Sequence, residues 1–475
     1  MVNIAEVLSG EQGLAGIQQV LRGASMRRQL RQTLSALLDP ATQVGPCRLQ
    51  RAKFKPGRKL TAYYDVVLRT QADQAACIRP IAVTWTLPEA FATTDLTAKP
   101  VDGAQQPWET LQDEALQRGV AAPFRRLTAS TLKWGMQLQV APLDSRYPHL
   151  VRLSDPTYVR NVLAICPGGE STQPTGDYAV TAIRYRPSQR HVLRYTAATG
   201  NPGPGTLFAK LYTAAKNELA ETMNRTVTRQ QVIADWLARR TPDVVGLQPC
   251  AHWPDDQVIL YPWVNGQPLS AQLWRLQRTL AGYLHQVGCA LRTLHSIPAN
   301  ALPDLPSHTF AAELKATTRT CEHIQALLPA VGQKLQELLQ RIQEHYAAAE
   351  PEAPTFTHGD FKADHVLVAQ QPNARLTLID FDSCALADPA CDIGKFLADL
   401  DWWYALHGLL GLAQAQAAFL AGYNLAADHP RLARARLWER LIWAKMTAHR
   451  VPLFDPQWAD QTTAMINGAV ALSDV

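Results

Sequence analysis

Two aspartates in the C-terminal half of the chain have the spacing and surroundings of a phosphoryl-transfer site. Asp360 follows a His-Gly pair and precedes the apolar run 366–368, and Asp380 ends a second apolar run at 378–379. The pattern predicts two short neighbouring strands that place the carboxylates together. Phosphoryl transfer to a hydroxyl uses one carboxylate to orient and deprotonate the hydroxyl and another to hold magnesium on the phosphates. If the second strand continues, Asp382 faces the same side as Asp380.

Segment 357–368, Thr-His-Gly-Asp-Phe-Lys-Ala-Asp-His-Val-Leu-Val, and the Ile-Asp-Phe at 379–381 resemble two motifs of the aminoglycoside phosphotransferase and choline kinase family. These small-molecule kinases have a protein-kinase-like fold. The resemblance implies that Asp360 is the catalytic base and Asp380 a metal ligand. His365 stands where the family usually has asparagine as the second metal ligand, and imidazole suits Mg²⁺ less well than an amide oxygen. Three interpretations of His365 stay open: a ligand of the metal or of its water, a residue that only holds the loop, or a sign of lost catalysis.

Further motifs of this family occur in the family's order within residues 155–475. Lys210 stands in an apolar strand, the run 258–266 is similar to the inter-lobe hinge, and Leu-His-x-Ile-Pro occupies 294–298. Asp-Pro-x-x-Asp at 388–392 is interpreted as a helix start whose acids cap the helix and anchor a loop. Each motif alone is weak, but their order and spacing together make the resemblance specific.

The resemblance implies a nucleotide site built from these motifs. Lys210 would pair with the α- and β-phosphates, and Glu221 or Glu218 on the following helix would be its carboxylate partner. Tyr261 and Trp263 lie in the hinge, where backbone groups would hold adenine. The structural alternative for this hinge is an edge strand ended by proline and glycine.

Two hairpins share a pattern of basic, aromatic and basic residues followed by proline and a polar turn. The first is Arg-Ala-Lys-Phe-Lys-Pro-Gly-Arg-Lys at 51–59, and the second is Arg-Tyr-Arg-Pro-Ser-Gln-Arg at 184–190. The second would cover the nucleotide, with backbone amides or the Ser188 hydroxyl on phosphate. A third strand follows each hairpin, but only the second of these contains a lysine. An internal duplication and a chance similarity both stay open.

The bulk composition sets limits on the class of protein. The 475 residues contain 47% hydrophobic and 18% charged residues, which is ordinary globular composition. A net charge of +5 without a long basic run is too weak to indicate nucleic acid. The eight cysteines form no C-x-x-C pair, which predicts neither a zinc site nor a disulfide framework. We find no signal-peptide pattern and no apolar stretch of about 20 residues, and therefore expect a cytoplasmic protein.

Hydrophobic spacing predicts that helices dominate the chain outside the hairpins. The Leu and Val residues from Leu273 to Leu294 recur at intervals of three and four, which predicts one long amphipathic helix. The region from 393 to 475 reads as almost entirely helical. Other predicted helices lie at 25–38, 108–119, 213–240, 311–328 and 333–349.

Together these observations predict an α+β chain with a two-lobed protein-kinase-like fold and an additional N-terminal α+β domain. The expected domains are an accessory domain at 1–154, a nucleotide lobe with hinge at 155–264, and a helical catalytic lobe at 265–475. In one interpretation the accessory domain is a degenerate copy of the nucleotide lobe. The expected function is ATP- and Mg²⁺-dependent phosphorylation of a small-molecule hydroxyl, on a sugar, aminoglycoside-like compound or amino alcohol. The alternative is a non-catalytic nucleotide-binding pseudokinase or partner-binding module. Neither nucleic acid nor membrane is expected as a partner.

Overall fold

The computed structural model describes the chain except for residues 1–2, 71–75, 88–107, 164–176, 199–204, 214–218, 276–278, 303, 370–374 and 472–475. The helices of the described part are α1 (Ile4–Ser9), α2 (Gly13–Arg22), α3 (Ala24–Leu37), α4 (Trp108–Gln117), α5 (Leu150–Leu153), α6 (Pro156–Leu163), α7 (Leu219–Arg240), α8 (Leu280–His295), α9 (Phe310–Leu327), α10 (Pro329–Ala348), α11 (Ala390–His407), α12 (Leu412–Tyr423), α13 (Pro430–Arg450) and α14 (Trp458–Ala471).

The strands of the described part are β1 (Thr42–Lys55), β2 (Lys59–Thr70), β3 (Ala76–Thr86), β4 (Thr128–Thr131), β5 (Met136–Val140), β6 (Tyr178–Arg186), β7 (Arg190–Ala197), β8 (Thr206–Leu211), β9 (Val244–Gly246), β10 (Ala251–Trp253), β11 (Val258–Pro262), β12 (Gly266–Pro268), β13 (Thr355–Thr357), β14 (Val366–Ala369), β15 (Leu376–Leu378) and β16 (Ala385–Ala387). None of the described helices combines the length and the apolar character needed to cross a membrane.

The chain forms two compact units. The first comprises residues 1–223, 250–263 and 452–458, and the second comprises 224–249, 264–451 and 459–475. The predicted α+β class is confirmed, with β-sheets in both units and most of the helices in the second. The domain boundaries at 154 and 264 stay a prediction.

Two five-stranded sheets of the first unit have the same connectivity. One has the order β1-β2-β3-β5-β4 and the other β6-β7-β8-β11-β10. In both, a hairpin and a third strand are followed by a helix and then by two strands joined through a one-turn 3₁₀ helix. An internal duplication would produce this shared order, and the duplication itself stays a prediction.

The ladder registers show which positions of the two sheets are equivalent. Lys55 pairs with Lys59 across the first hairpin, as Arg186 pairs with Arg190 across the second. Two residues beyond Lys59, Thr61 pairs with Thr84 of the third strand. Two residues beyond Arg190, Val192 pairs with Lys210 in the equivalent way. The position of Lys210 is therefore occupied in the first sheet by Thr84, whose hydroxyl lies 3.3 Å from that of Thr61.

An aromatic-rich core joins these two sheets within the first unit. Tyr63 and Ala82 of the first sheet pack with Tyr185, Leu193 and Tyr195 of the second. Buried tyrosine hydroxyls find acceptors on the segment that links the sheets: that of Tyr185 donates to the Leu143 carbonyl and that of Tyr195 to the Leu153 carbonyl, at 2.6 and 3.0 Å. Burial of these large rings is the main stabilising contribution, and the hydrogen bonds remove the penalty of the buried hydroxyls.

The second unit is mainly helical around two small sheets. One sheet has the order β12-β14-β15-β9, and the other pairs β13 with β16. In the helical core, glycines allow two close backbone approaches: a Cβ on Gly288 would meet the Phe419 carbonyl at 2.1 Å, and one on Gly394 would meet the Ala435 carbonyl at 2.4 Å. These contacts bring α8 against α12 and α11 against α13.

Most predicted elements are present, with one clear error. The helix predicted from Leu273 begins only at Leu280, because 269–272 form a 3₁₀ turn and Leu273 is buried in the turn that follows it. Periodic burial does not distinguish a helix from a compact turn that also buries leucine. Leu276 and the start of the helix predicted at 213 lie partly outside the described residues. The C-terminal region is helical as predicted, and the seven cysteines of the described part are free thiols.

Candidate active site

The His-Gly-Asp loop follows β13 in the second unit and depends on a glycine at its centre. Gly359 has a φ of +74°, and a Cβ there would lie 2.1 Å from the Ser383 carbonyl oxygen. Only glycine adopts this conformation without strain and also allows such a close approach. The tight turn at Gly359 separates the buried His358 from the less buried Asp360.

Asp392 holds this loop from the first turn of α11. Its two carboxylate oxygens accept the backbone amides of His358 and Gly359 at 2.6 and 2.9 Å. His295 Nε2 lies 3.2 Å from the same carboxylate, and its Nδ1 lies 2.7 Å from the Tyr423 hydroxyl. Asp392 is fully buried, and burial alone would raise its pKa. The hydrogen bonds and positive charges around it outweigh burial and lower the pKa of Asp392.

His358 connects the loop to the strand that carries the second aspartate. Its Nδ1 accepts the backbone amide of Asp360 at 3.3 Å, and its Nε2 lies 3.1 Å from the Ile379 carbonyl oxygen. One ring nitrogen accepts and the other donates, which is the arrangement of a neutral imidazole. His358 therefore acts as a rigid spacer between the segments that carry Asp360 and Asp380.

Asp360, His365 and Asp380 form one cluster in the second unit. Potential ligand atoms of all three lie within 4.8 Å of one another. His365 Nε2 lies 3.4 Å from an Asp380 carboxylate oxygen, and His365 Nδ1 lies 3.7 Å from one of Asp360. The strand β14 pairs with β15 so that Val366 is opposite Leu378, which brings His365 beside Asp380.

The tautomer of His365 follows from its backbone contact. His365 Nδ1 lies 2.9 Å from the Asp360 carbonyl oxygen, an acceptor only, so Nδ1 carries the proton. Burial and the positive charge of Lys362 lower the pKa of His365 to about 4. The neutral ring then presents the lone pair of Nε2 to the Asp380 carboxylate. Two acceptors that face each other without a proton between them are an arrangement suited to a shared cation.

Two lysines contact the Asp360 carboxylate. Lys395 Nζ lies 2.6 Å from one oxygen and Lys362 Nζ lies 2.8 Å from the other. Burial alone would raise the pKa of Asp360, but the charges of Lys395 and Lys362 hold it well below its ordinary value. The Asp360 side chain is therefore a carboxylate at neutral pH, with its position fixed from both sides.

A second buried aspartate anchors the far end of the loop. One oxygen of Asp399 accepts the Ala363 amide at 2.8 Å, and the other receives the Arg450 guanidinium at 2.5 Å. Ser270 donates to Asp364 at 2.5 Å. Asp392 and Asp399 thus hold both ends of the segment from His358 to Ala363, by which Asp360 is positioned.

The predicted nucleotide residues lie mainly in the first unit. Lys210 in β8 pairs with Ile259 of β11, and its Nζ lies 5.9 Å from the centre of the Tyr212 ring. The Tyr212 and Tyr261 hydroxyls lie 3.2 Å apart. Trp263 is 47% exposed and stacks on Phe208 at 5.2 Å. Glu221 is an exposed residue in the first turn of α7.

The turn that contains Ser188 is held from below by a buried aspartate. Ser188 has a φ of +59°, and its backbone amide donates to Asp144 at 2.7 Å. Asp144 also lies 2.7 Å from His191 Nε2, and both side chains are buried. The Ser188 amide is therefore already hydrogen-bonded to Asp144, which lies outside the turn.

The structure corrects two details of the sequence interpretation. Strand β15 ends at Leu378, Asp380 has a φ of +65°, and Asp382 lies in a 3₁₀ turn, so Asp382 is not on the same strand face as Asp380. The hinge strand β11 lies between β10 and β8, so the edge-strand alternative is wrong. The loop-anchoring role expected for the acids at 388–392 is confirmed for Asp392.

Sequence reasoning missed the two lysines on Asp360. Lys362 is two residues beyond Asp360 within the same motif, and this short spacing could have indicated the contact between the two side chains. Lys395 is 35 residues away on α11, one helical turn after Asp392. Because Asp392 was expected to anchor the loop, its neighbour on the same helical face was a candidate for contact with Asp360.

The chain is similar to a known protein family and to several solved structures. The profile of the phosphotransferase enzyme family matches residues 183–438. The structure of APH(2'')-IIia with GDP and kanamycin is 14% identical, with 66% of this chain and 99% of that chain covered and a TM-score of 0.47. A choline/ethanolamine kinase family protein from Mesorhizobium loti is 17% identical, with 66% and 94% covered and a TM-score of 0.43.

A type I macrolide 2'-phosphotransferase is 13% identical, with 65% of this chain and 97% of that chain covered and a TM-score of 0.41. No curated protein matches the sequence. The family profile covers more than half of the 475 residues, and the chain therefore belongs to the phosphotransferase enzyme family.

Proposed function

We propose that the chain is an ATP-dependent phosphotransferase that moves the γ-phosphate to a hydroxyl of a small molecule. The observation that supports this most directly is the cluster of Asp360, His365 and Asp380, which combines a fixed carboxylate with donor atoms of the kind that hold a divalent cation. The acceptor class remains the one expected from the sequence: a sugar, an aminoglycoside-like compound or an amino alcohol.

In this proposal Asp360 accepts the hydrogen of the acceptor hydroxyl and directs its oxygen toward the γ-phosphorus. The low pKa of Asp360 favours positioning over strong basicity, which fits a reaction whose rate comes mainly from alignment and charge neutralisation. Lys362 and Lys395 hold the carboxylate in place, and either ammonium group can also neutralise charge that develops on the transferred phosphoryl group.

The donor set of the cluster fits a divalent cation. Asp380 and Asp360 offer carboxylate oxygens, and His365 offers the lone pair of Nε2. These three residues would hold the cation, which would supply positive charge to neutralise phosphate oxygens. In the nucleotide-binding part of the proposal, Lys210 pairs with the phosphates and Glu221 with Lys210, Ser188 contributes its hydroxyl, and the hinge at Tyr261 and Trp263 holds adenine.

A coupled assay of ADP release tests the proposal. Purified protein is supplied with ATP and Mg²⁺ or Mn²⁺ and screened against a panel of sugars, aminoglycosides and amino alcohols. We expect turnover with at least one acceptor, and a loss of about 10²–10⁴ in kcat for Asp360→Asn. Asp428→Asn, an exposed substitution of the same kind, serves as the matched control and retains the wild-type rate.

The assay also decides between catalysis and the non-catalytic alternative. Clear ATP binding by calorimetry without turnover of any acceptor would favour a nucleotide-binding module. Equal ADP release by wild type and Asp360→Asn would contradict the assignment of Asp360. A phosphorylated acceptor identified by mass spectrometry distinguishes transfer from simple ATP hydrolysis.

A further inference from the structure

The two hairpins of the first unit that share a sequence pattern also share a feature that phosphotransfer does not explain. Each presents cations at alternate positions of an edge strand, on β1 and on β6. We use the name hairpin cations for these residues together with Lys59 at the start of β2. They are Arg51, Lys53 and Lys55 on β1, Lys59 on β2, and Arg184 and Arg186 on β6. By ladder register, Lys53 is equivalent to Arg184 and Lys55 to Arg186, so the two hairpins carry charge at the same positions.

The charged face of the first hairpin meets the turn of the second. Arg51, Lys53 and Lys55 alternate along β1 and therefore share one face. Tyr63, which pairs with Arg51, belongs to that face and packs in the core that joins the two sheets. The Tyr63 hydroxyl accepts a hydrogen bond from Gln189 Nε2 in the second turn, at 3.0 Å.

The positive charges of the two hairpins are close enough to affect one another. Burial, followed by the charges of Lys55, Arg51, Lys59 and Arg186, lowers the pKa of Lys53. For Arg186, burial and the charges of Arg51 and Arg184 are the leading causes of a pKa lowered to about 10. The pairing of Arg51 with Tyr63 and the hydrogen bond from Gln189 to Tyr63 bring cations of both hairpins to the same side of Tyr63.

No carboxylate of the described residues forms an ion pair with Lys53 or Arg186. The charge of Asp144 contributes to raising the pKa of Tyr63. Asp144 is buried, however, and already accepts hydrogen bonds from the backbone amides of Ser188 and Arg146 and contacts His191. Half-buried like charges without a counter-ion are destabilising, and an anion with several charges would relieve this repulsion.

We propose that the hairpin cations form a binding site for phosphate groups, with Lys53 and Arg186 as the two central contacts. A guanidinium fork matches two phosphate oxygens and an ammonium supplies a point charge, so the pair suits a phosphate ester or polyphosphate. The phosphates can come from the tail of a nucleotide or from a separate phosphorylated small molecule. The site goes beyond the proposed transfer reaction, because it adds cations of the first hairpin to the turn that contains Ser188. Anion binding there requires neither the carboxylate cluster nor an acceptor, so it can be tested apart from transfer.

Binding of tripolyphosphate at low ionic strength, with EDTA present, tests the site without any metal. We compare wild type, Lys53→Gln/Arg186→Gln and the charge-keeping Lys53→Arg/Arg186→Lys by calorimetry and by the rise in Tm. The neutral double variant should bind at least about tenfold more weakly, which corresponds to about 1.4 kcal/mol. The charge-keeping variant should retain most of the affinity, with a smaller loss from the altered guanidinium geometry. Without ligand, the neutral variant should melt at the same temperature as wild type or higher, because like-charge repulsion is removed.

Two control variants separate this site from general charge and from the carboxylate cluster. Lys133→Gln removes an exposed cation of the same unit, and Asp380→Asn alters the cluster. Neither should change tripolyphosphate affinity in EDTA. Displacement of tripolyphosphate by ATP identifies a nucleotide tail as the ligand, and displacement by a sugar phosphate but not by ATP identifies a separate ligand.

The proposal would be overturned if the neutral double variant bound as tightly as wild type, or if Lys133→Gln weakened binding equally. Dependence on Asp380 would assign the anion to the carboxylate cluster instead. Binding of single-stranded RNA or anionic vesicles, with no affinity for tripolyphosphate under the same conditions, would also refute a small-molecule site.

Discussion

Asp392→Asn should loosen the His-Gly-Asp loop at a calculable cost. The wild-type carboxylate accepts two backbone amides, at 2.6 and 2.9 Å, and also contacts His295. The amide of asparagine has one acceptor oxygen, so its NH₂ group must face one of these donors. A hydrogen bond to a charged group contributes about 1.5–3 kcal/mol, and a buried donor left unpaired costs about 1–3 kcal/mol. We therefore expect the free energy of unfolding to fall by about 2.5–6 kcal/mol when both contributions act.

The sign of the pH dependence follows from the lowered pKa of Asp392. A carboxyl whose pKa is lower in the folded than in the unfolded state stabilises the protein above its unfolded pKa. This stabilisation is lost as the pH falls toward the folded pKa. The stabilities of wild type and Asp392→Asn should therefore differ most at neutral pH and converge in acid.

Urea unfolding and amide hydrogen exchange measure this effect at two levels. Exchange at residues 358–360 should accelerate in Asp392→Asn, while exchange in the first unit stays unchanged. Asp428→Asn, on the exposed surface, is the control and should differ from wild type by no more than about 0.5 kcal/mol. A loss below about 0.5 kcal/mol in Asp392→Asn, with normal protection of the loop, would refute the view that Asp392 holds it.

Three further substitutions test other parts of the site. Gly359→Ala should destabilise by at least about 2 kcal/mol and abolish turnover, measured by thermal unfolding and ADP release, because its φ is +74° and its Cβ would meet Ser383. His365→Asn should weaken Mn²⁺ binding about tenfold without weakening Mg²⁺ binding, measured by calorimetry; an equal loss for both ions would speak against nitrogen coordination. Glu313 has its pKa lowered to about 2, where the charge of Lys445 and a hydrogen bond from a histidine outweigh burial. Its contribution of about 3 kcal/mol should be full above about pH 4.5 and vanish toward pH 2, and Glu313→Gln should remove this part of the urea-unfolding pH profile.

The parts of the fold that the sequence predicts well are those with a strong local signal. Helix α3 and helix α9 begin and end within one residue of the predicted bounds, because apolar residues recur along both at helical spacing. The His-Gly-Asp loop and the strand before Asp380 were predicted from contiguous motifs. The start of α8 was missed because a buried turn and a helix bury leucine at similar intervals.

Long-range contacts of the site were less accessible to sequence reasoning. Lys395 reaches Asp360 because α11 packs beside the loop, and the expected loop anchor Asp392 was the one indication of that approach in the sequence. Asp399 accepts the Ala363 amide from within α11, and no motif in the sequence indicates this contact. Such contacts depend on the packing of distant elements, which side-chain periodicity does not encode.

Two of the three interpretations of His365, loop support and metal binding, are compatible in the structure. Its Nδ1–H donates to the Asp360 carbonyl and so holds the loop. This same bond leaves the lone pair of Nε2 directed at Asp380, 3.4 Å away, where it can share a cation. Asparagine at this position would offer an oxygen ligand, but its amide could rotate between the two contacts. The imidazole assigns one nitrogen to each task, and a nitrogen ligand at this position would favour Mn²⁺ and other transition-metal ions over Mg²⁺. We therefore expect histidine at this position to change the metal preference rather than to abolish catalysis, and the comparison of Mn²⁺ and Mg²⁺ binding in His365→Asn tests this expectation.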